Sequence, residues 1–122
     1  MPSSPIISVI DDDASVRSST EGLLRSCGYR VRMFASAEEF LNAGGGAECA
    51  CIVSDVHMPG KSGFDLVKEL ANCETPKPVV LITAYYDETA VARAKSAGAV
   101  CILPKPFGAD ELIACIENAI GG

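Results

Sequence analysis

Hydrophobic positions along this chain switch repeatedly between two spacings. Ile6-Ile7-Ser8-Val9-Ile10 is a short β-branched run that ends in an acidic cluster. From Val16 the pattern becomes helical: Val16, Thr20, Leu23, Leu24 and Cys27 share one face, and Gly28 supplies a C-terminal stop. Residues 29–34 alternate, with Tyr29, Val31 and Met33 on one side and Arg30 and Arg32 on the other. One-sided alternation predicts a strand near a sheet edge. Ser36 and Glu39 have the spacing of a capping box opening a short helix through Phe40 and Leu41. Gly44-Gly45-Gly46 predicts a surface loop, and residues 50–54 a buried strand that ends at Asp55.

The alternation continues after a Met58-Pro59-Gly60-Lys61 turn. Ser62 and Asp65 start a helix carrying Phe64, Val67, Leu70 and Ala71. Residues 78–82 form the most β-branched run and predict a central strand. Asp87 caps a helix through Ala97, stopped by Gly98, and residues 100–103 predict a fifth strand. Beyond Pro104-Lys105-Pro106, a last helix puts Leu112, Ile113, Ile116, Ala119 and Ile120 on one face. Five strands alternating with five helices predict an α/β fold, a parallel sheet covered on both faces. No repeat, linker or second domain interrupts it, so residues 1–122 are expected to form one domain.

Composition narrows the chemistry. Ten Lys+Arg against sixteen Asp+Glu give a net charge of -6. Such a stretch does not reward a phosphate backbone, so no nucleic-acid binding is expected of it. An acidic excess suits a cation or a basic partner surface instead. No apolar run approaches the roughly 20 residues needed to span a bilayer. The first residues lack the basic start and apolar run of a secretory signal, so a cytoplasmic location is expected. Most of the six cysteines have apolar neighbours, as in Ala50-Cys51-Ile52 and Val100-Cys101-Ile102. Reduced thiols packed as small hydrophobes are the expectation. Cys49, Cys51 and the single His57 do not make a conventional zinc spacing.

Ligands of open parallel sheets sit beyond the strand carboxyl ends. There the sequence places Asp11, Asp12 and Asp13 after the first strand, Asp55 after the third, Thr83 after the fourth and Lys105 after the fifth. Helix capping accounts for one aspartate, Asp13. It does not account for three in a row. Two carboxylates about 4 Å apart repel by roughly 4 kcal/mol at an effective dielectric of 20. A hard divalent cation that keeps several waters, Mg²⁺, best relieves that repulsion. Lys105 lies between two prolines, where X-Pro bonds are cis in about 5% of cases, and a fixed turn would aim it at the rim.

These residues resemble the receiver domain of two-component response regulators over essentially the whole chain. The resemblance rests on Val9-Ile10-Asp11-Asp12-Asp13, on Asp55 followed by Met58-Pro59-Gly60 and Gly63, on Leu81-Ile82-Thr83-Ala84, and on Lys105-Pro106-Phe107. The segment Phe34-Ala-Ser-Ala-Glu-Glu-Phe40-Leu41 is similar to the FixJ-like branch, whose members usually continue into a helix-turn-helix DNA-binding domain. The resemblance implies a flavodoxin-like sheet of order 2-1-3-4-5. It implies a phosphoacceptor signalling domain rather than a classical enzyme, one that promotes its own phosphorylation and dephosphorylation. Asp55 would be the phosphoryl acceptor. Asp12, Asp55 and the backbone carbonyl of His57 would ligate Mg²⁺, with Asp11 acting through water. Thr83 and Lys105 would bind the phosphoryl oxygens and begin the switch.

His57 and Tyr85 occupy positions that influence phosphoryl lifetime in this family. The implied output surface includes Val91, Ala94, Lys95 and Ile102, and the first two could equally be core. Ile102 stands where the family commonly has Tyr or Phe. The implied partners are a sensor histidine kinase or phosphotransfer protein and, after phosphorylation, a second copy of the chain. Three other readings compete. A flavodoxin-like cofactor binder would want a Gly/Ser/Thr-rich loop where the aspartates are. An acyl-phosphate hydrolase would use Asp55 as nucleophile with His57 two residues on. A thiol redox module would use the cysteines, and titration of free thiols would test it.

Overall fold

The computed structural model describes residues 5–44, 48–72 and 76–121. The elements are β1 (Ile6–Ile10), α1 (Ala14–Ser26), β2 (Arg30–Phe34), α2 (Ala37–Asn42), β3 (Cys51–Asp55), α3 (Gly63–Leu70), β4 (Val79–Thr83), α4 (Glu88–Ala97), β5 (Cys101–Pro104) and α5 (Ala109–Gly121). Every strand pairing is parallel and the order is β2-β1-β3-β4-β5. The predicted alternation, the edge position of β2 and the order implied by the resemblance all hold. Gly45, Gly46 and Cys73 lie outside the described residues.

Strand periodicity divides the core in two. Ile10, Ile52, Val79, Leu81 and Ile102 face α2, α3 and α4, where Phe40, Phe64, Val67, Leu70, Ala94 and Ala97 meet them. Ile7, Val9, Cys51, Val53, Val80, Ile82 and Leu103 face α1 and α5, against Leu24, Leu112 and Ile116. Both β3 and β4 are buried along their full length, as expected of interior strands with helices on both sides. The edge strand β2 is mostly exposed, and Met33 stays outside both core clusters.

Helix ends follow local chemistry. Asp13 Oδ1 accepts from Ser15 N at 2.8 Å and Val16 N at 3.3 Å, so the third aspartate is the cap of α1. Asp87 Oδ1 accepts from Ala90 N at 2.7 Å to start α4, and Gly98 ends that helix at φ +103°. At Ser36 only the Ser Oγ to Glu39 N half of the expected box is recorded. The full reciprocal box forms instead at Ser62 and Asp65. Glu38, beside Ser36, is used elsewhere.

The cysteine expectation needs correction. Cys49 and Cys51 are buried free thiols, as predicted, but Cys27 is exposed. Cys101 and Cys115 are joined in a disulfide with Cα atoms 6.5 Å apart. Apolar neighbours in sequence do not reveal that Cys101 faces α5, whose Cys115 then lies over it. Among the described residues no helix is long and apolar enough to cross a membrane.

Candidate functional site

Strand register assembles the site. Ile10 pairs with Ser54, so the residue after β1, Asp11, comes beside Asp55 at the end of β3. Thr83 ends β4 opposite Pro104, and Lys105 N donates to Thr83 O at 2.8 Å, which fixes the start of the turn after β5. The Lys105–Pro106 peptide bond is cis. Asp11 N is anchored on Phe34 O at 3.1 Å and Val56 N on Ile82 O at 2.9 Å. Each chemical group thus leaves a strand whose backbone is already fixed.

Asp11 and Asp55 are 3% and 5% exposed, and Thr83 is fully buried. Asp12 is exposed. One carboxylate oxygen from each of Asp11, Asp12 and Asp55 can lie within 4.8 Å of the others. Lys105 Nζ donates to Asp11 Oδ2 at 3.1 Å and to Asp55 Oδ2 at 3.2 Å. The second Asp11 oxygen, Oδ1, accepts from Asp13 N at 2.9 Å. Both oxygens of Asp11 are therefore engaged by the protein. Arg17 Nη1 donates to the Asp11 carbonyl and steadies the same turn.

Burial pushes the Asp55 carboxyl above the usual carboxylate range, and the Asp11 charge adds to this. Lys105 and the His57 backbone N–H oppose the shift without cancelling it. Burial also disfavours charge on Lys105, but its hydrogen bond to Asp11 and the two carboxylate charges outweigh that, and the ammonium is held above its ordinary range. The Lys105 ammonium pairs with two of the three carboxylates, Asp11 and Asp55. The excess negative charge and the all-oxygen donor set fit a hard divalent ion such as Mg²⁺.

The loop after Asp55 is fixed from below and from outside. A Cβ on Gly63 would meet Asp55 O at 2.6 Å, Leu81 Cδ2 at 2.9 Å and Val56 Cα at 3.0 Å, so only glycine fits under the acidic strand end. Gly63 N donates to Val56 O at 2.9 Å. Glu38 Oε2 accepts from Lys61 N at 3.0 Å and lies against Gly60, which has φ +81°. Sequence reasoning missed this clamp. Its partners are 23 residues apart in sequence, in two separate motifs that nothing in the sequence links. The Lys61 ammonium pairs with Glu69 at 3.0 Å.

Two exposed rings flank the rim. His57 and Tyr85 meet edge to face with centroids 4.9 Å apart. Tyr85 N donates to Thr83 Oγ1 at 3.0 Å, so the hydroxyl already serves the loop that carries the ring. The residues read as an output surface divide. Lys95 is exposed and Val91 half-buried, whereas Ala94 and Ile102 are 3% and 9% exposed and belong to the core on the α4 side. The alternation of β5 turns Ile102 inward, and helical spacing does the same for Ala94. Both still border a groove of about 200 Å³ shared with Tyr86, Val91, Lys95 and Val100. The solvent side of this face is made by Tyr86, Lys95 and Val100.

Comparison with known proteins agrees with this geometry. The family described as response regulator receiver domain matches residues 7–117. The transcriptional regulatory protein FixJ of Bradyrhizobium diazoefficiens is 44% identical over 114 residues, which is 93% of this chain and 56% of that protein. The response regulator protein TmoT of Ectopseudomonas mendocina is 36% identical over 115 residues, 94% of this chain and 52% of that protein. The chain thus spans about half the length of the curated relatives it matches. A putative response regulator from Chloroflexus aurantiacus superposes with a TM-score of 0.91 at 31% identity, covering 98% of this chain and 99% of that one. Full-length FixJ from B. japonicum gives a TM-score of 0.88 at 42% identity, covering 98% of this chain and 59% of that one. With the fold, the acidic rim and these likenesses in agreement, the chain belongs to the family of response regulator receiver domains, signalling domains of two-component systems rather than classical enzymes.

Proposed function

We propose that Asp55 accepts a phosphoryl group from a phosphohistidine on a sensor histidine kinase or phosphotransfer protein. The observation that carries this reading is the carboxylate of Asp55, buried at a strand end, held by one lysine and crowded by Asp11 and Asp12. An Asp55 oxygen attacks phosphorus as the P–N bond of the donor breaks, and the imidazole nitrogen keeps the electron pair. Asp12, Asp55 and the backbone carbonyl of His57 would hold Mg²⁺, with Asp11 acting through water. Both Asp11 oxygens accept from protein donors, whereas exposed Asp12 has none among the described residues, which supports that division. When bound, the metal supplies positive charge where charge builds on the transferring oxygens.

Lys105 moves from bridging two carboxylates to pairing a phosphoryl oxygen. Thr83 turns its hydroxyl from the Tyr85 amide to another oxygen, which draws on the 84–86 loop and α4. Phosphorylation adds about -1.5 to -2 charge, enough to reorganise such a local network. The same residues promote both gain and loss of the group. The His57–Tyr85 ring pair restricts water at the rim and lengthens the life of the acyl phosphate. The readout is the face bearing Val91, Lys95, Tyr86 and Val100, bordered by buried Ala94 and Ile102. It controls pairing with a second copy or a transcriptional output domain, as the transcriptional regulators among the relatives suggest.

Intact mass after incubation with Mg²⁺ and a small acyl-phosphate donor tests the reading. One added phosphoryl group, not gained when a chelator is present during loading and absent from Asp55→Asn, is expected. Equal loading of Asp55→Asn would overturn it.

A further inference from the structure

Among the described residues no cysteine takes part in the acidic rim, and two of them, Cys101 and Cys115, meet each other. Cys101 opens β5 and packs toward the α1 and α5 side of the sheet. Cys115 lies on α5, one residue before the fully buried Ile116 that seats the helix. Their Cα separation of 6.5 Å falls within the range of natural disulfides, about 4.4–6.8 Å, so the two segments lie within bridging reach of each other. Both residues are half-buried, and with Val100, Asn118 and Ala119 they line a surface hollow of about 230 Å³. Small reagents therefore have access to the sulfurs. Cys49 and Cys51 differ in kind: they are buried in the sheet, and burial pushes the Cys51 thiol up to about 12 and raises that of Cys49. Thiols held neutral in this way are poor nucleophiles.

We infer that Cys101 and Cys115 form a reversible thiol–disulfide site that exchanges with a low-molecular-weight disulfide of the glutathione type. One cysteine thiolate attacks a sulfur of the small disulfide, forming a mixed disulfide and releasing one small thiol. The second cysteine thiolate attacks the protein sulfur of that mixed disulfide and releases the other. The protein is oxidised by two electrons and loses two hydrogens; the small disulfide is reduced to two thiols. The cross-link spans 14 residues and encloses Lys105, so it closes a covalent loop around the turn that delivers the rim lysine.

The test uses the reduced full chain, kept native in glutathione buffers of graded thiol-to-disulfide ratio, then acid-quenched, alkylated and mapped by peptide mass. Oxidising ratios should link the peptides bearing Cys101 and Cys115, with two fewer alkyl groups and a loss of two mass units. Reducing ratios should restore both thiols. Cys115→Ser should trap glutathione on Cys101, and Cys101→Ser should trap it on Cys115. The map of the unsubstituted chain decides even if a serine variant fails to fold. Full alkylation of both residues at every ratio, linkage only after unfolding in denaturant, or linkage of either residue to a different cysteine would overturn the inference.

Discussion

Removing the Lys105 ammonium should leave the acidic rim unstable until something else neutralises it. Nζ lies 3.1 Å from Asp11 and 3.2 Å from Asp55. At an effective dielectric of 20 each contact is worth about 5 kcal/mol of gross attraction. The two carboxylates, with oxygens within 4.8 Å, repel by at least ~3.5 kcal/mol on the same scale. Much of the attraction only offsets the cost of burying the charges. Removing one member of a buried pair costs about 3–5 kcal/mol. The lysine side chain is 21% exposed, which places Lys105→Met near the lower end, about 3 kcal/mol.

For a chain of this length 1 kcal/mol moves Tm by about 4 °C, so a fall of ~12 °C is expected in metal-free buffer at neutral pH. Two conditions should repair the variant. Mg²⁺ should restore most of the loss by supplying the missing positive charge. Acid should do the same. The folded carboxyl of Asp55 already titrates above its unfolded value, and losing Lys105 raises it further. A raised folded pKa gives stability that is complete below the unfolded value and is lost as pH rises through the folded one. The variant should therefore gain relative to the parent as pH falls toward 4. Thermal scans of both proteins, with Mg²⁺ and with chelator across pH, provide the assay. Equal Tm in metal-free neutral buffer, or a deficit that neither Mg²⁺ nor acid reduces, would refute the reasoning.

Gly63→Ala should destabilise by about 2 kcal/mol through overpacking and also slow phosphoryl loading, because its Cβ would press on the Asp55 carbonyl; denaturant unfolding and intact mass check the two effects. Cys51, its thiol pushed up by burial to about 12 from an ordinary 9.0, should alkylate far more slowly at pH 8 in the native protein than in denaturant, since the shift cuts its thiolate fraction about a thousandfold. The same shift makes its burial fully stabilising below about pH 9, with that contribution declining as pH rises toward 12. His57→Ala and Tyr85→Ala should each shorten the acyl-phosphate lifetime severalfold without lowering the loaded fraction at early times; an unchanged decay rate would remove the ring pair from the account.

Most of the fold was legible because two periodicities, 2 and near 3.6, coincide with local stop signals such as Gly98 and local caps such as Asp13 and Asp87. The rim was legible for a related reason. Parallel strands deliver whatever follows them to one edge, so Asp11, Asp55, Thr83 and Lys105 could be gathered without knowing any distance. What escaped depends on pairings between distant segments. Glu38 reaches Lys61 because α2 lies beside the loop after β3, and nothing in either residue's neighbourhood announces this. Cys101 finds Cys115 through the seating of α5 on β5, whereas the sequence shows only two thiols in apolar surroundings. Ala94 and Ile102 illustrate a third limit. Small and aliphatic residues near a proposed surface suit an interface and a core equally well, and here packing against α3 and the sheet buries both.

The central claim is that Asp55 itself carries the phosphoryl group. Its most direct test loads the full chain with an acyl-phosphate donor and Mg²⁺, then reduces it with borohydride, which converts a phosphorylated aspartate to homoserine. Peptide sequencing by mass should find homoserine at position 55 and aspartate at positions 11, 12 and 13. Homoserine at one of those three positions with unaltered aspartate at 55, or a phosphoryl group found on a hydroxyl or on His57, would contradict the account.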